Sequence, residues 1–453
     1  MFLFNAVTTA ASSATTATAA PAPKPLSLGV IFLTLYIDLI GFSIIFPLFP
    51  AMLEYYLGRE GHGGLLGWML TNIDALARLT GGGGSYLPVL FGGVIGSLYS
   101  LLQFLFAPYW GGLSDRIGRR RVLLLTVAGI AFSYLLWIFS GSFWLFILAR
   151  LFGGAMSGNL SVATAAVADV TSRENRAKGM GLVGVAFGLG FITGPAIGGL
   201  MSGHNLLVHH PRLAAFGIHP FSIPALIAFA FCLLNLAWIY TRFAETLTPG
   251  ARAAAAPRER HPLKALFSIA DLRVRRSNLL YFVFALAFSA VEFSLAFLAA
   301  DRFAYTPRQM TAIFVFIGFM SIFTQGVLVR KAVPLFGERR VLVAGVTLFM
   351  LALFLMGFAT SQVVFYAGLA CLSLGSGFTN SAISALISLY SSVDEQGRVL
   401  GVFRSLGSLA RAIGPVVGGL IYWRLHPEGL YGLGGLIMLV PIVMSLRLPQ
   451  PAK

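Results

Sequence analysis

Residues 89–139 read VLFGGVIGSLYSLLQFLFAPYWGGLSDRIGRRRVLLLTVAGIAFSYLLWIF. Two long apolar runs are joined by a short hairpin whose charged residues are Asp115, Arg116, Arg119, Arg120 and Arg121. The runs are continuous rather than alternating, which excludes the strands of a membrane barrel. A bilayer core needs about 20 apolar residues in a helix, and only helices or closed barrels satisfy their backbone there. The stretch therefore predicts two membrane-spanning helices turning through a basic loop.

The pattern repeats outward along the chain. Of 453 residues, 57% are hydrophobic and 11% charged, against roughly 25% charged in a soluble domain; the mean hydropathy is +0.83. Spans are expected near 26–50, 89–109, 122–139, 144–167, 179–201 and 223–240 in a first half. A second half holds 279–299, 311–329, 341–359, 363–390, 399–423 and 430–446. The fold class is an all-α membrane protein of twelve transmembrane helices in two six-helix halves. The expected units are a disordered tail over 1–26, a first half over 27–242 and a cytoplasmic linker over 243–276. A second half over 277–447 and a tail over 448–453 complete the chain. Residues 54–85 form a polar, Gly-rich extracytoplasmic insert with a short amphipathic helix around Leu65–Leu79. The Thr- and Ser-rich start argues against a signal peptide. Cys232 and Cys371 fall in apolar runs and are expected as free, buried thiols.

A net charge of +16 would suggest nucleic acid for a soluble protein. Here the basic residues collect in alternate short loops, which is the topology signal of an inner or plasma membrane protein with both termini in the cytoplasm. Arg116, Arg119–Arg121, Arg173, Arg176, Lys178, Arg273, Arg275, Arg276, Arg330, Lys331, Arg339 and Arg340 share one side. No nucleic-acid partner is expected; membrane lipid is, and so is a monomer.

The halves are related internally. Shifting by 220 residues superposes Gly181 on Gly401, Pro195 on Pro415 and Gly199 on Gly419 without a gap. Two halves of one orientation form a parallel repeat with a pseudo-two-fold axis.

The hairpin Gly111-Gly-Leu-Ser-Asp-Arg-Ile-Gly-Arg-Arg-Arg121 closely resembles the GxLxDRxGRR motif of the major facilitator superfamily. Gly111, Asp115, Arg116, Gly118, Arg119 and Arg120 would form a cytoplasmic gate. Both glycines suit tight turns, and Asp115 suits a helix N-terminus and a nearby arginine. The first span, Tyr36-Ile-Asp38-Leu-Ile-Gly41 through Pro47 and Pro50, looks like the LDxxGxGxxxPxxP pattern of drug:proton antiporters of the tetracycline-efflux kind. The region around Gln103 and Pro108 resembles the same group. Arg150-Leu-Phe-Gly-Gly154 is similar to the family's RxxxG segment, and Gly194, Pro195, Gly198 and Gly199 match the fifth-span antiporter motif. Packing alone would also account for those small residues. The second copy of the hairpin is reduced to Gly337-Glu-Arg-Arg340, and the insert departs from the family pattern.

Asp38 and Glu292 are the acids well inside spans, where ionisable residues are costly and usually functional. At about 1.5 Å per residue, Asp38 lies roughly 15–18 Å in and Arg150 roughly 10 Å down from the other side. The same arithmetic gives Glu292 and Arg411 a similar depth, with Arg404 on the same face as Arg411. Asp38 is expected as the proton-coupling carboxylate with Arg150 as its modulating partner; a permanent structural pair is the bland alternative. For Glu292 with Arg411 both readings stay open. Tyr36, Gln103, Asn159, Gln325 and Asn380 are substrate-cavity candidates. No GxxxxGK[ST] loop, HExxH or GxSxG occurs, so neither ATP-driven transport, a metal or other cofactor, nor catalysis is expected.

The reading is a secondary transporter that exports small amphipathic drugs or metabolites in exchange for protons by alternating access. Proton-coupled transport of a nutrient or metabolite by the same fold is the alternative, as is a membrane sensor that moves no solute.

Overall fold

The computed structural model describes residues 27–61, 63–79, 87–171, 176–247, 267, 269–391 and 396–450. The N-terminal tail, most of the expected linker, and Arg173 lie outside the described residues. The described chain is helical, with no strand. In order the helices are α1 (Leu28–Ser43), α2 (Phe49–Glu60), α3 (Gly64–Leu79), α4 (Leu87–Ile117), α5 (Arg119–Ile138) and α6 (Phe143–Met156). They continue as α7 (Asn159–Val170), α8 (Arg176–Met201), α9 (Leu206–His209) and α10 (Ser222–Arg242). The second half holds α11 (Leu272–Phe303), α12 (Pro307–Phe323), α13 (Val329–Phe336), α14 (Glu338–Gly357), α15 (Gln362–Tyr390), α16 (Gln396–Ile437) and α17 (Leu439–Leu446).

Ten helical segments among the described residues are long and apolar enough to cross a bilayer. The last of these, Val399–Leu446, has 48 residues and would extend roughly 70 Å, far beyond one ~30 Å crossing. It turns at Leu425 and His426, where the backbone leaves the helical region and His426 takes φ 59° ahead of Pro427. With that split, and with the 31-residue α4, the described residues are consistent with the expected twelve crossings.

The first crossing is longer than its sequence suggests. A 3-10 turn at Phe46–Leu48 carries α1 into α2, which runs to Glu60 and so occupies the start of the expected polar insert. Phe49, Met52, Leu53 and Tyr56 recur at one helix face and are buried, which holds the polar-looking segment helical. Farther on, α3 is the amphipathic helix of the insert, with Leu66 and Leu70 buried and Trp68 exposed.

Within lipid, apolar area gives little drive to bring helices together, so close packing of small residues decides contacts. In the first half α8 lies on α1, and in the second α16 lies on α11. A Cβ at Gly194 would strike Ser43 Oγ and one at Gly198 the Ile44 carbonyl. A Cβ at Gly414 would lie 2.7 Å from the Ser289 Cβ, and one at Gly418 2.7 Å from the Ala290 Cβ. Ser43 and Ser289 are thus counterparts. Across the seam between halves, α4 packs on α16 and α8 on α12. There a Cβ added at Gly93 would lie 2.5 Å from the Pro415 carbonyl oxygen, and one at Gly199 2.5 Å from the Pro307 carbonyl oxygen. The ends of α4, α7, α10, α13 and α17 share the basic face of the bundle; the opposite, distal face carries α3 and α9.

Candidate functional site

The fourth crossing is broken in the middle. The helix stops at Met156, Ser157 and Gly158 leave the helical ladder, and α7 begins at Asn159. Packing enforces the break: the Trp110 ring stands where a Gly158 side chain would be. Trp110 Nε1 also donates to the Ala155 carbonyl at 2.7 Å, taking an acceptor that an unbroken helix would use itself.

A cavity opens beside this break. Asp38, Phe42, Tyr99, Gln103, Ser157 and Phe191 line it, together with Arg411 from the second half. Gln103 Nε2 donates to Ser157 Oγ at 2.7 Å. Asp38 is half-buried, and its carboxyl faces the Asn159 side chain. Among the described residues no ion pair joins it to Arg150. The Arg150 guanidinium instead lies 4.3 Å from the centre of the Tyr99 ring, and its Nε is buried without a hydrogen bond. The expected partner is therefore held by an aromatic face, because Tyr99 stands between the two helices.

Pseudo-symmetry also separates the two acids. Asp38 lies five residues before Ser43, whereas Glu292 lies three residues after Ser289. Glu292 is consequently about 12 Å nearer the distal face than Asp38, and the similar depth expected from counting spans is corrected. Arg411 lies three residues before Gly414, as Phe191 does before Gly194, and so stands at the level of the cavity. Its guanidinium sits over the Phe187 ring at 5.9 Å, and Glu292 is within electrostatic reach. Arg404 is half-buried near Arg411 and Tyr281.

Of the remaining cavity candidates, Tyr36 hydrogen-bonds Thr193 at 3.0 Å and ties α1 to α8. Asn380 donates to the Ser376 carbonyl at 3.0 Å. Gln325 sits in a π-helical turn, Thr324–Leu328, with its amide 3.9 Å from where a Gly188 side chain would begin. None of these three lines the cavity around Asp38.

The basic-face motif is a charge cluster. Arg119, 2% exposed, pairs with Asp115 at 2.6 Å and Asp169 at 3.0 Å, and donates to Ser114 Oγ at 2.6 Å. Arg116 is exposed. Gly118, at φ 104°, makes the turn between α4 and α5, where any side chain would be strained. Gly111 makes no turn: it lies inside α4 with Ser161 Oγ 3.1 Å from where its side chain would start. Asp115 likewise closes α4 rather than opening α5. The carboxylate at the α5 N-terminus is Glu245, which accepts the Arg119 N–H at 2.9 Å and the Arg120 N–H at 3.3 Å. Asp169 and Glu245 escape a motif reading because they are remote in sequence; Glu245 follows the sixth span and Asp169 ends the fourth. Ser157-Gly158-Asn159, small and polar in mid-span, is the one local signal of the break.

The sequence profile described as Major Facilitator Superfamily matches residues 31–336 and 327–453. The chain belongs to the major facilitator superfamily. Major facilitator superfamily domain-containing protein 10 of Bos taurus is 36% identical over 447 residues, 95% of each chain. The class E tetracycline resistance protein of Escherichia coli is 28% identical over 391 residues, 86% of each chain. The crystal structure of the human organic anion transporter MFSD10 (TETRAN) superposes with a TM-score of 0.75 at 34% identity, covering 92% of this chain and 98% of that one. A bacterial homologue of the human lysosomal transporter Spinster shares the fold, with a TM-score of 0.62 at 14% identity. This facilitator-family chain is a multi-pass membrane transporter and not an enzyme.

Proposed function

We propose that the transporter exports small amphipathic compounds, organic anions among them, in exchange for protons, with the two halves rocking about the central cavity. The observation that carries this reading is Asp38: an acid in mid-membrane, open to the cavity and without an ion-pair partner among the described residues. A carboxyl so placed is free to exchange a proton, whereas one locked to an arginine is not. Arg411 in the same lining offers a cation to an acidic headgroup, and Phe42, Phe187 and Phe191 offer apolar surface. The tetracycline resistance relatives and the human organic anion transporter are the similar proteins whose names point to such solutes.

The basic loops support cytoplasmic placement of the basic face and both termini, in an inner or plasma membrane, and the protein is taken to act as a monomer. Glu292 is proposed as a second proton-linked acid, and Arg119 with its partners as the cytoplasmic gate.

The test is proton movement by purified protein in liposomes as candidate compounds are added. Wild type should release protons on substrate addition, and Asp38→Asn should lose that release while staying folded. An Asp38→Asn protein with full proton-driven transport would remove the coupling site from the first span. No proton movement with any amphipathic compound would turn the reading towards a nutrient or metabolite.

A further inference from the structure

Asn159 stands at the break in the fourth crossing with one end of its amide already committed. Its Oδ1 accepts the Leu160 N–H at 3.0 Å, so Nδ2 is the end left over. That Nδ2 is buried without a hydrogen bond in a residue only 2% exposed. It faces the Asp38 carboxyl. A buried donor without an acceptor is costly, and an ionised carboxylate is the acceptor within reach.

From Asn159, α7 runs 12 residues to Val170 without interruption. Near its other end Asp169 Oδ2 takes the Arg119 Nε–H at 3.0 Å and the Thr246 hydroxyl at 2.8 Å. One short rod thus touches the cavity acid at one end and the basic-face charge cluster at the other, about 15 Å away. It is joined to α6 through Ser157 and Gly158, the two residues outside the helical ladder.

We propose that α7 is the lever that links the proton on Asp38 to the basic-face cluster. Asn159 ties α7 to α1 while Asp38 is ionised. When a proton binds the Asp38 oxygen that faces Asn159, that oxygen turns its O–H towards the amide, the charge-assisted tie is broken, and α7 swings at Ser157–Gly158. Asp169 then shifts against Arg119, and the cluster of Asp115, Arg119, Asp169 and Glu245 loosens. Asn159 is a positioning residue here; it takes no proton itself. The other titratable or charged groups acting on Asp38 or its cavity are Tyr99 of α4, Tyr134 of α5, Arg150 of α6, Cys232 of α10 and Arg411 of α16. None of them connects the cavity to Asp169 along one helix. The lever rests on the reading of Asp38 as the coupling acid.

Amide hydrogen exchange of the full chain in nanodiscs, at pH 5.5 and pH 8 with intrinsic rates corrected, tests it. In wild type, peptides covering α7 and the turn around Gly118 should exchange about threefold or more faster at the lower pH. Asn159→Ala and Asn159→Asp should show the faster exchange at both pH values, with α14 and α15 unchanged as the check on folding. Substrate-dependent proton release should fall in both variants. If Asn159→Ala keeps the wild-type pH difference around Gly118, the lever is wrong even though proton release stands. If wild type shows no proton release on substrate addition, the Asp38 reading fails instead, and the lever with it.

Discussion

Arg119 spends its guanidinium on Ser114, Asp115 and Asp169, and its backbone N–H on Glu245. Removing it leaves two carboxylates facing one another, and breaking a buried pair from one side costs on the order of 3 kcal/mol. Arg119→Ala should therefore lower the melting temperature in detergent and abolish transport. Arg119→Lys should recover part of the stability only, since an ammonium lacks the planar fork that reaches three acceptors. Equal melting temperatures for wild type and Arg119→Ala would show that the cluster is held by packing alone. At this scale the sequence singled out Asp38, because an acid inside an apolar run is conspicuous, and the structure places it in a cavity lining. The sequence named the wrong neighbour: Arg150 is on the facing helix, but the Tyr99 ring takes its charge.

Close approach between helices decides which glycines matter. Gly198 lies on the Ile44 carbonyl, whereas a side chain at Gly401 would meet nothing within 4 Å. Gly198→Ala should push α8 off α1 and reduce both stability and transport. Gly401→Ala should leave transport intact and raise stability slightly, by up to about 1 kcal/mol, since alanine favours a helix. Thermal melting and uptake assays on the pair check this; similar losses in both would mean that helix flexibility, not contact, sets the requirement. Helix positions followed from the apolar runs. The break at Ser157–Gly158 and the extension of the first crossing to Glu60 did not. Both depend on a partner remote in sequence: the Trp110 ring against Gly158, and Phe143 N–H donating to Glu60 at 2.7 Å.

The distal end of the first half is closed over His219, which is fully buried. Its Nε2 donates to the Trp137 carbonyl at 2.9 Å, and its Nδ1 accepts the Phe221 N–H at 3.3 Å. The ring is thereby fixed in the neutral form with no room for a second proton, and burial pushes its pKa down to about 4 from 6.5. Because the folded value lies below the unfolded one, the stability is fully present above pH 6.5 and is lost progressively as pH falls towards 4. The loss amounts to roughly 3 kcal/mol at the acid end. The melting temperature should drop on acidification across this window, and His219→Gln should flatten the drop while starting from a lower value. An unchanged acid slope in that variant would assign the sensitivity to other groups.

Length of apolar run, placement of arginines and the 220-residue repeat determined by themselves that this chain is a twelve-helix bundle in two related halves. Each of those signals is local or periodic, and a bilayer admits few other structures. Which charges meet was decided only by the tertiary structure. Helix counting gives depth to within a turn, but rotation and offset are set by the glycine contacts between α1 and α8 and between α11 and α16. Those contacts place Arg411 in the cavity of Asp38, lift Glu292 towards the distal face, and bring Glu245 to the turn at Gly118 across more than a hundred residues. A side chain's partner depends on the packing of the whole bundle, and no short stretch of sequence contains it.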